Sequence, residues 1–350
     1  MTHTADRAES VAAVEERLRE VAQSVRRSML DAMPDGEPGK WLYAPMRAYP
    51  LRPGKALRPA LCLSAGRAFG AHLDDLFGIA VAIELLHNAF LVHDDVTDGS
   101  EMRRGRPTLG ATCGMATAIN AGDALAVVAG QVLRRATRRL DRDLAELVWA
   151  EFDTMALRTL EGQAIEVGWQ VDNVDDLRPE DYLNLILHKT CWYTTIHPLR
   201  VGAIVGSRGT AELGPLVRFG FHFGAAFQIR DDLLNLVGDE RVYGKEILGD
   251  LYEGKRTLPL VHLLSVAQAQ DRELLQDYLH RSRSQRSADL VRRVRTLMDD
   301  YGSIAFTGQY AEGILLAAED YFERAFADAE PGPDLAFLRS LVPYVWARWR

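Results

Sequence analysis

A run of apolar residues ending in three carboxylates constrains this chain more than any other feature. From Glu84 to Arg104 it reads ELLHNAFLVHDDVTDGSEMRR. Asp94 and Asp98 stand four apart, one helical turn, and Asp95 lies about 100° round from Asp94. The residues leading up to them are apolar on one face (Ile83, Leu86, Phe90, Leu91), so the carboxylates crown a helix that belongs in a core. A helix C-terminus already carries partial negative charge, and like charges one turn apart repel. Two readings stay open at this point. One is a solvated acidic helix end. The other is a site for a hard divalent cation such as Mg²⁺, which takes oxygen ligands and commonly shares them with phosphate. Arg103 and Arg104, shortly after Asp98, suit phosphate recognition.

Composition narrows the class. Of 350 residues, 47% are hydrophobic and 26% charged, the balance of a globular protein able to bury a large core. The net charge of −8, with no long basic block, argues against nucleic acid as partner. Three scattered cysteines, Cys62, Cys113 and Cys191, follow no metal-ligand spacing and read as reduced thiols of a cytoplasmic protein. The N-terminal decapeptide lacks the apolar core of a signal peptide. The longest apolar stretch, near residues 77–92, is interrupted by Glu84, His87 and Asn88, so no membrane span is expected.

Helical periodicity runs through the whole chain. Residues 1–7 are expected to fray, and 8–33 place Val11, Val14, Leu18, Val21, Val25 and Leu30 on one side. A short irregular segment over 41–50 follows, then helices at about 55–69 and 73–97 and a polar loop over 98–111. Further helices are expected near 115–139, 143–170, 179–207, 211–237, 257–267, 270–281, 286–300, 303–327 and 333–347. Alternating β-branched runs with hairpin turns are nearly absent. The expected fold is all-α, long helices around a central cavity in one domain over residues 1–350.

The acidic pattern returns around residue 230, in FQIRDDLLN. Asp231 and Asp232 again follow an apolar helix, with Asn235 one turn on, and its amide oxygen is a weaker ligand than a carboxylate. A loop with Lys245, Asp250 and Lys255 follows, which taken alone could equally be a solvated surface loop.

DDVTD followed by GSEMRRG, with FQIRDDLLN later, resembles the two aspartate-rich motifs of the trans-isoprenyl diphosphate synthases, the polyprenyl synthetases. The resemblance covers about residues 40–260 and includes PGKALRP, HNAFLVHDD, EGQAIE, HKT and GKEILGDLYEGK. It implies an isoprenoid synthase-type helical bundle. It also implies an Mg²⁺-dependent prenyltransferase, with Mn²⁺ as a substitute, condensing isopentenyl diphosphate with an allylic diphosphate. By resemblance Asp94, Asp98 and Asp231 ligate the metal, with Asp95, Asp232 and Asn235 in support. Arg103, Lys189 and Lys245 would hold the allylic diphosphate, with Gln228 and Thr190 beside it and Lys255 closing over it. Gly54, Lys55, Arg58, His87 and Arg104 resemble the isopentenyl diphosphate site, with Phe227 near its hydrocarbon. Singly these have ordinary readings: Lys55, Arg58 and Lys189 as surface charges, His87 as a core histidine. His93 stands between packing and support of the metal site, and the C-terminal Arg348 and Arg350 between a solvated tail and an inward reach.

Three departures matter. Pro53 stands where glycine is common and has no N–H to give a phosphate. Asn235 replaces the third aspartate of the second motif, as it often does in relatives that make geranylgeranyl diphosphate. Glu166 stands where the family often has Asp, in the same motif as Gln163. Product length is expected to depend on the helix below Asp94. Phe90 lies roughly 6 Å and Ala89 roughly 7.5 Å along the axis, with Leu86 deeper. One aromatic in this floor fits a twenty-carbon product, geranylgeranyl diphosphate. Farnesyl or longer products, a class I terpene cyclase and a non-catalytic partner subunit are the alternatives. The family further implies a homodimer.

Overall fold

The computed structural model describes residues 2–238 and 246–347. Helix dominates, and the strands among the described residues are two dipeptides, β1 (Met102–Arg103) and β2 (Arg106–Pro107), paired antiparallel. The expected all-α class holds. The chain divides into two compact units. The first comprises Met1–Met155, Tyr193–Gly220 and Ala318–Arg350, and the second Ala156–Trp192 and Phe221–Ala317.

In the first unit lie α1 (Thr2–Ala32), α2 (Ala44–Ala48), α3 (Leu57–Ala68), α4 (Leu73–Asp98), α5 (Leu109–Cys113) and α6 (Met115–Ala136). The opening turns of α7 (Arg142–Val171) also belong to it. Helix α4 is its axis, packing on α1, α3 and α6. Asp74 and Asp75 in its first turn suit the positive helix end, and Gly99 stops it with a left-handed backbone. From Leu76 to Ala89 nearly every side chain is buried, which explains a sequence apolar all round rather than on one stripe. By length and composition alone α4 and the helical stretch Met115–Arg139 could each cross a membrane. For α4, 72% of that apolar window is buried within the fold, as a core helix requires.

The expected polar loop after Asp98 is ordered. It forms the β1–β2 hairpin and then α5, whose N-cap Thr108 accepts a hydrogen bond from the Ala111 amide at 3.2 Å. The single helix expected over 179–207 is instead three pieces: α8 (Pro179–Ile186), a π-helical segment (Leu187–Ile196) and α9 (His197–Gly206). Pro198 in the first turn of α9 has no N–H for the preceding turn, so the ladder changes register there.

The second unit contains α8 and most of α10 (Leu213–Val237). Its core gathers Leu236, Leu251, Leu260, Leu264, Tyr278 and Met298, with neighbours from the helices Leu258–Val266, Ala269–His280 and Ala288–Asp300.

Candidate active site

At the end of α4 the three carboxylates separate by situation. Asp94 and Asp98 are half-buried, and an oxygen of one lies within 4.8 Å of an oxygen of the other, close enough for one hard cation. An oxygen-only donor pair fits Mg²⁺ and offers nothing to a thiophilic metal. Asp95 is buried and its carboxylate is spent: Arg103 donates to it through Nε at 2.8 Å and through Nη2, and the Tyr49 hydroxyl donates as well. Burial, with Asp95 beside it, holds the Tyr49 hydroxyl protonated well above its usual range. Both Asp95 oxygens thus accept hydrogen bonds, Oδ2 from Tyr49 and Oδ1 from Arg103. Arg103 is itself buried in this pair and reaches Asp94 at 3.5 Å.

Arg52 fixes the hairpin that carries Arg103 and Arg104. Its Nη1 donates to the Arg103 carbonyl at 2.9 Å and its Nη2 to the Pro107 carbonyl at 2.6 Å, with the guanidinium over the Tyr49 ring. Neither Tyr49 nor Arg52 stands out in the sequence, since each lies some fifty residues from its partners and in no motif.

Around Tyr193 the first unit assembles a cationic cluster. The Arg58 guanidinium lies 4.3 Å above the Tyr193 ring, and its Nη2 donates to Thr194 Oγ1 at 2.8 Å. His87 sits 5.7 Å from the same ring, buried, its imidazole pushed well below its usual pKa by burial and by Arg58, Arg104 and Arg103. Phe90 meets Tyr193 edge-on at 5.7 Å. Gly54 and Arg104 adjoin one another, while Lys55 is exposed. Ala89 and Leu86 are buried. His93 faces α6, its Nε2 3.2 Å from Asp123.

The second unit repeats the division of the acidic pair. Asp231 is half-buried, whereas Asp232 is buried, accepting from the Tyr182 hydroxyl at 2.6 Å and from Gln228 Nε2 at 2.7 Å. Burial pushes the Asp232 carboxyl up to about 6, against those two donors. Asn235 staples the chain after α10. Its Nδ2 donates to the Glu246 carbonyl and its Oδ1 accepts from the Asp250 amide, each at 3.1 Å. Lys189 and Glu166 form an ion pair, and Lys255 pairs with Glu253 at 2.9 Å. Thr190 is buried in the π-helical segment, while Phe227 and Gln228 are half-buried on α10. Gly162 on α7 explains the small residue in EGQAIE: a Cβ there would lie 2.5 Å from the Lys189 Cα, so only glycine admits the Lys189 backbone. Lys245, Arg348 and Arg350 lie outside the described residues.

Two helices that each carry a buried aspartate beside a half-buried one, in an all-helical chain with a phosphate-suited arginine cluster, suit a class of enzymes acting on diphosphates. Residues 39–298 match the polyprenyl synthetase family, and the chain belongs to that family. It is 36% identical over 222 residues to the short chain isoprenyl diphosphate synthase of Methanothermobacter thermautotrophicus, a match spanning 63% of this chain and 66% of that protein. It is 33% identical to an all-trans-nonaprenyl-diphosphate synthase of Rhodobacter capsulatus, over 83% of this chain and 82% of the relative. The crystal structure of a geranylgeranyl pyrophosphate synthetase from Pyrococcus horikoshii superposes with TM-score 0.82 at 29% identity, covering 97% of this chain and 98% of the other.

Proposed function

We propose that this enzyme is a cytoplasmic prenyltransferase that condenses isopentenyl diphosphate with an allylic diphosphate, chiefly to geranylgeranyl diphosphate. The observation that carries the reading is the close Asp94–Asp98 oxygen pair at the end of the helix that also bears His87, with Arg58 and Arg104 close to that histidine. Asp94, Asp98 and Asp231 hold Mg²⁺, or Mn²⁺ in its place. The bound ion supplies positive charge to the leaving diphosphate. Asp95 and Asp232 hold the shape of their helix ends. Arg58, Arg104 and His87 receive isopentenyl diphosphate, with Gly54 and Lys55 beside them. Lys189, Arg103 and Lys245 serve the allylic diphosphate, with Thr190 and Gln228 as neighbours and Phe227 on the hydrocarbon. Lys255 closes over it.

Relatives of this chain carry names for both short and nonaprenyl products, so the choice of twenty carbons rests on residues. One aromatic, Phe90, stands one turn below Asp94, and Ala89 beside it is small. The enzyme works as a homodimer. Supporting this, α6 exposes Met115 (65%), Ile119 (44%) and Val127 (60%), apolar area that a second copy would cover. The deciding experiment incubates purified protein with geranyl or farnesyl diphosphate and labelled isopentenyl diphosphate, with Mg²⁺ and with chelator. A labelled C20 diphosphate formed only with metal is the expected result. Cyclic hydrocarbon from geranylgeranyl diphosphate alone would make the protein a cyclase, and no turnover with any primer would make it a partner subunit.

A further inference from the structure

Glu84 is 5% exposed on α4, one turn before His87, and its Oε2 has no hydrogen-bond partner among the described residues. A carboxylate in a helical core is costly, and a neutral side chain of similar size would fill the position more cheaply. The surroundings explain it. Glu84 lines a small cavity of the first unit together with Arg52, Gly54, Asn88 and Arg104. Burial pushes its carboxyl up, while Arg58 and Arg104 pull the other way. Arg104 in turn feels Arg103, Arg58 and Arg52 as like charges and Glu84 as the opposite one. Arg104 also holds a left-handed backbone, φ 52°, at the hairpin turn. Such a conformation needs an anchor in a residue that bears a side chain. Gly54 leaves the space: a Cβ there would lie 2.9 Å from Arg104 Nη1.

We propose that Glu84 is a positioning residue, the counter-charge that keeps Arg58 and Arg104 gathered for the diphosphate of isopentenyl diphosphate. The inference rests on the assignment of those two arginines given above. Two effects compete when the charge is removed. The ligand loses a repulsive neighbour, but the guanidinium groups repel one another and must be ordered again by the ligand. The second falls on the donors themselves, whose paired N–H groups grip phosphate only when aligned.

Steady-state kinetics of Glu84→Gln, Glu84→Asp and Arg58→Ala, each with both substrates, test this. Glu84→Gln should raise the KM for isopentenyl diphosphate about tenfold and leave that for the allylic substrate unchanged. Glu84→Asp keeps the charge but draws it back by one methylene, and should raise the same KM about threefold. That variant carries the test alone should Glu84→Gln not fold. A KM that stays level or falls in Glu84→Gln while Arg58→Ala raises it overturns the role of Glu84 and leaves the site standing. Equal changes for both substrates in the Glu84 variants, or no change even in Arg58→Ala, overturn it as well, the latter together with the site assignment.

Discussion

Asp94 and Asp95 are adjacent in sequence and opposite in situation. Asp94 is half-buried, with Arg103 3.5 Å away, whereas Asp95 is buried between Tyr49 and Arg103. Losing the Asp95 carboxylate leaves a buried guanidinium without its partner, which costs about 3–5 kcal/mol. Urea unfolding of Asp95→Ala should show that loss. Asp94→Ala should unfold within about 0.5 kcal/mol of the parent, yet lose about a hundredfold or more in turnover. The opposite pattern, a stable Asp95→Ala and an unstable Asp94→Ala, would mean that the roles are exchanged. The sequence made both acidic pairs visible because carboxylates closing an apolar helix are conspicuous. Only the resemblance ranked their members, and the residues alone could not show the contacts that set them apart. Those contacts come from Tyr49 and Tyr182, which meet Asp95 and Asp232 only after the chain has folded.

At the scale of the element, helix periodicity carried most of the fold, because long buried helices leave a strong pattern. It failed where the backbone departs from the α register. The π-helical segment Leu187–Ile196 keeps apolar residues at helical spacing, so only Pro198 hints at the break. The hairpin after Asp98 was invisible for another reason. Its strands are two residues each, and Arg52 fixes them through their carbonyls rather than through any pattern of their own. Helix α4 gives the second test. Phe90 is in line with Asp94 and lies edge-on to Tyr193, whereas Ala89 is buried about 100° round the helix. Phe90→Ala should shift products beyond twenty carbons, and Ala89→Phe should shift them toward fifteen, as read by chromatography of the dephosphorylated alcohols. Ala89→Phe also adds bulk at a closed position and should lower stability by about 1–3 kcal/mol. Unmoved product distributions in both variants would place the floor elsewhere.

For the whole molecule, stability should depend on pH through two histidines buried in the first unit. His197 is fully buried near Phe152, and burial, helped by Arg200, pushes its imidazole down to about 3. His87 is pushed in the same direction. A histidine whose folded pKa lies below its unfolded value of about 6.5 binds fewer protons when folded. Its contribution is therefore complete above pH ~6.5 and is lost as pH falls toward the folded value. Asp232 acts with the opposite sign. Its carboxyl, raised to about 6, binds more protons when folded, so it adds stability as pH falls through that value. Total stability thus mixes the two, and only a difference between variants isolates one group. Between pH 7.5 and pH 5 in chelator, the parent should lose ~2 kcal/mol relative to His197→Gln, the share of one histidine with this shift. Denaturant midpoints at the two pH values measure it. Parallel losses in parent and variant would show that His197 takes up its proton in the folded state as readily as in the unfolded one, and that its burial exacts no protonation cost.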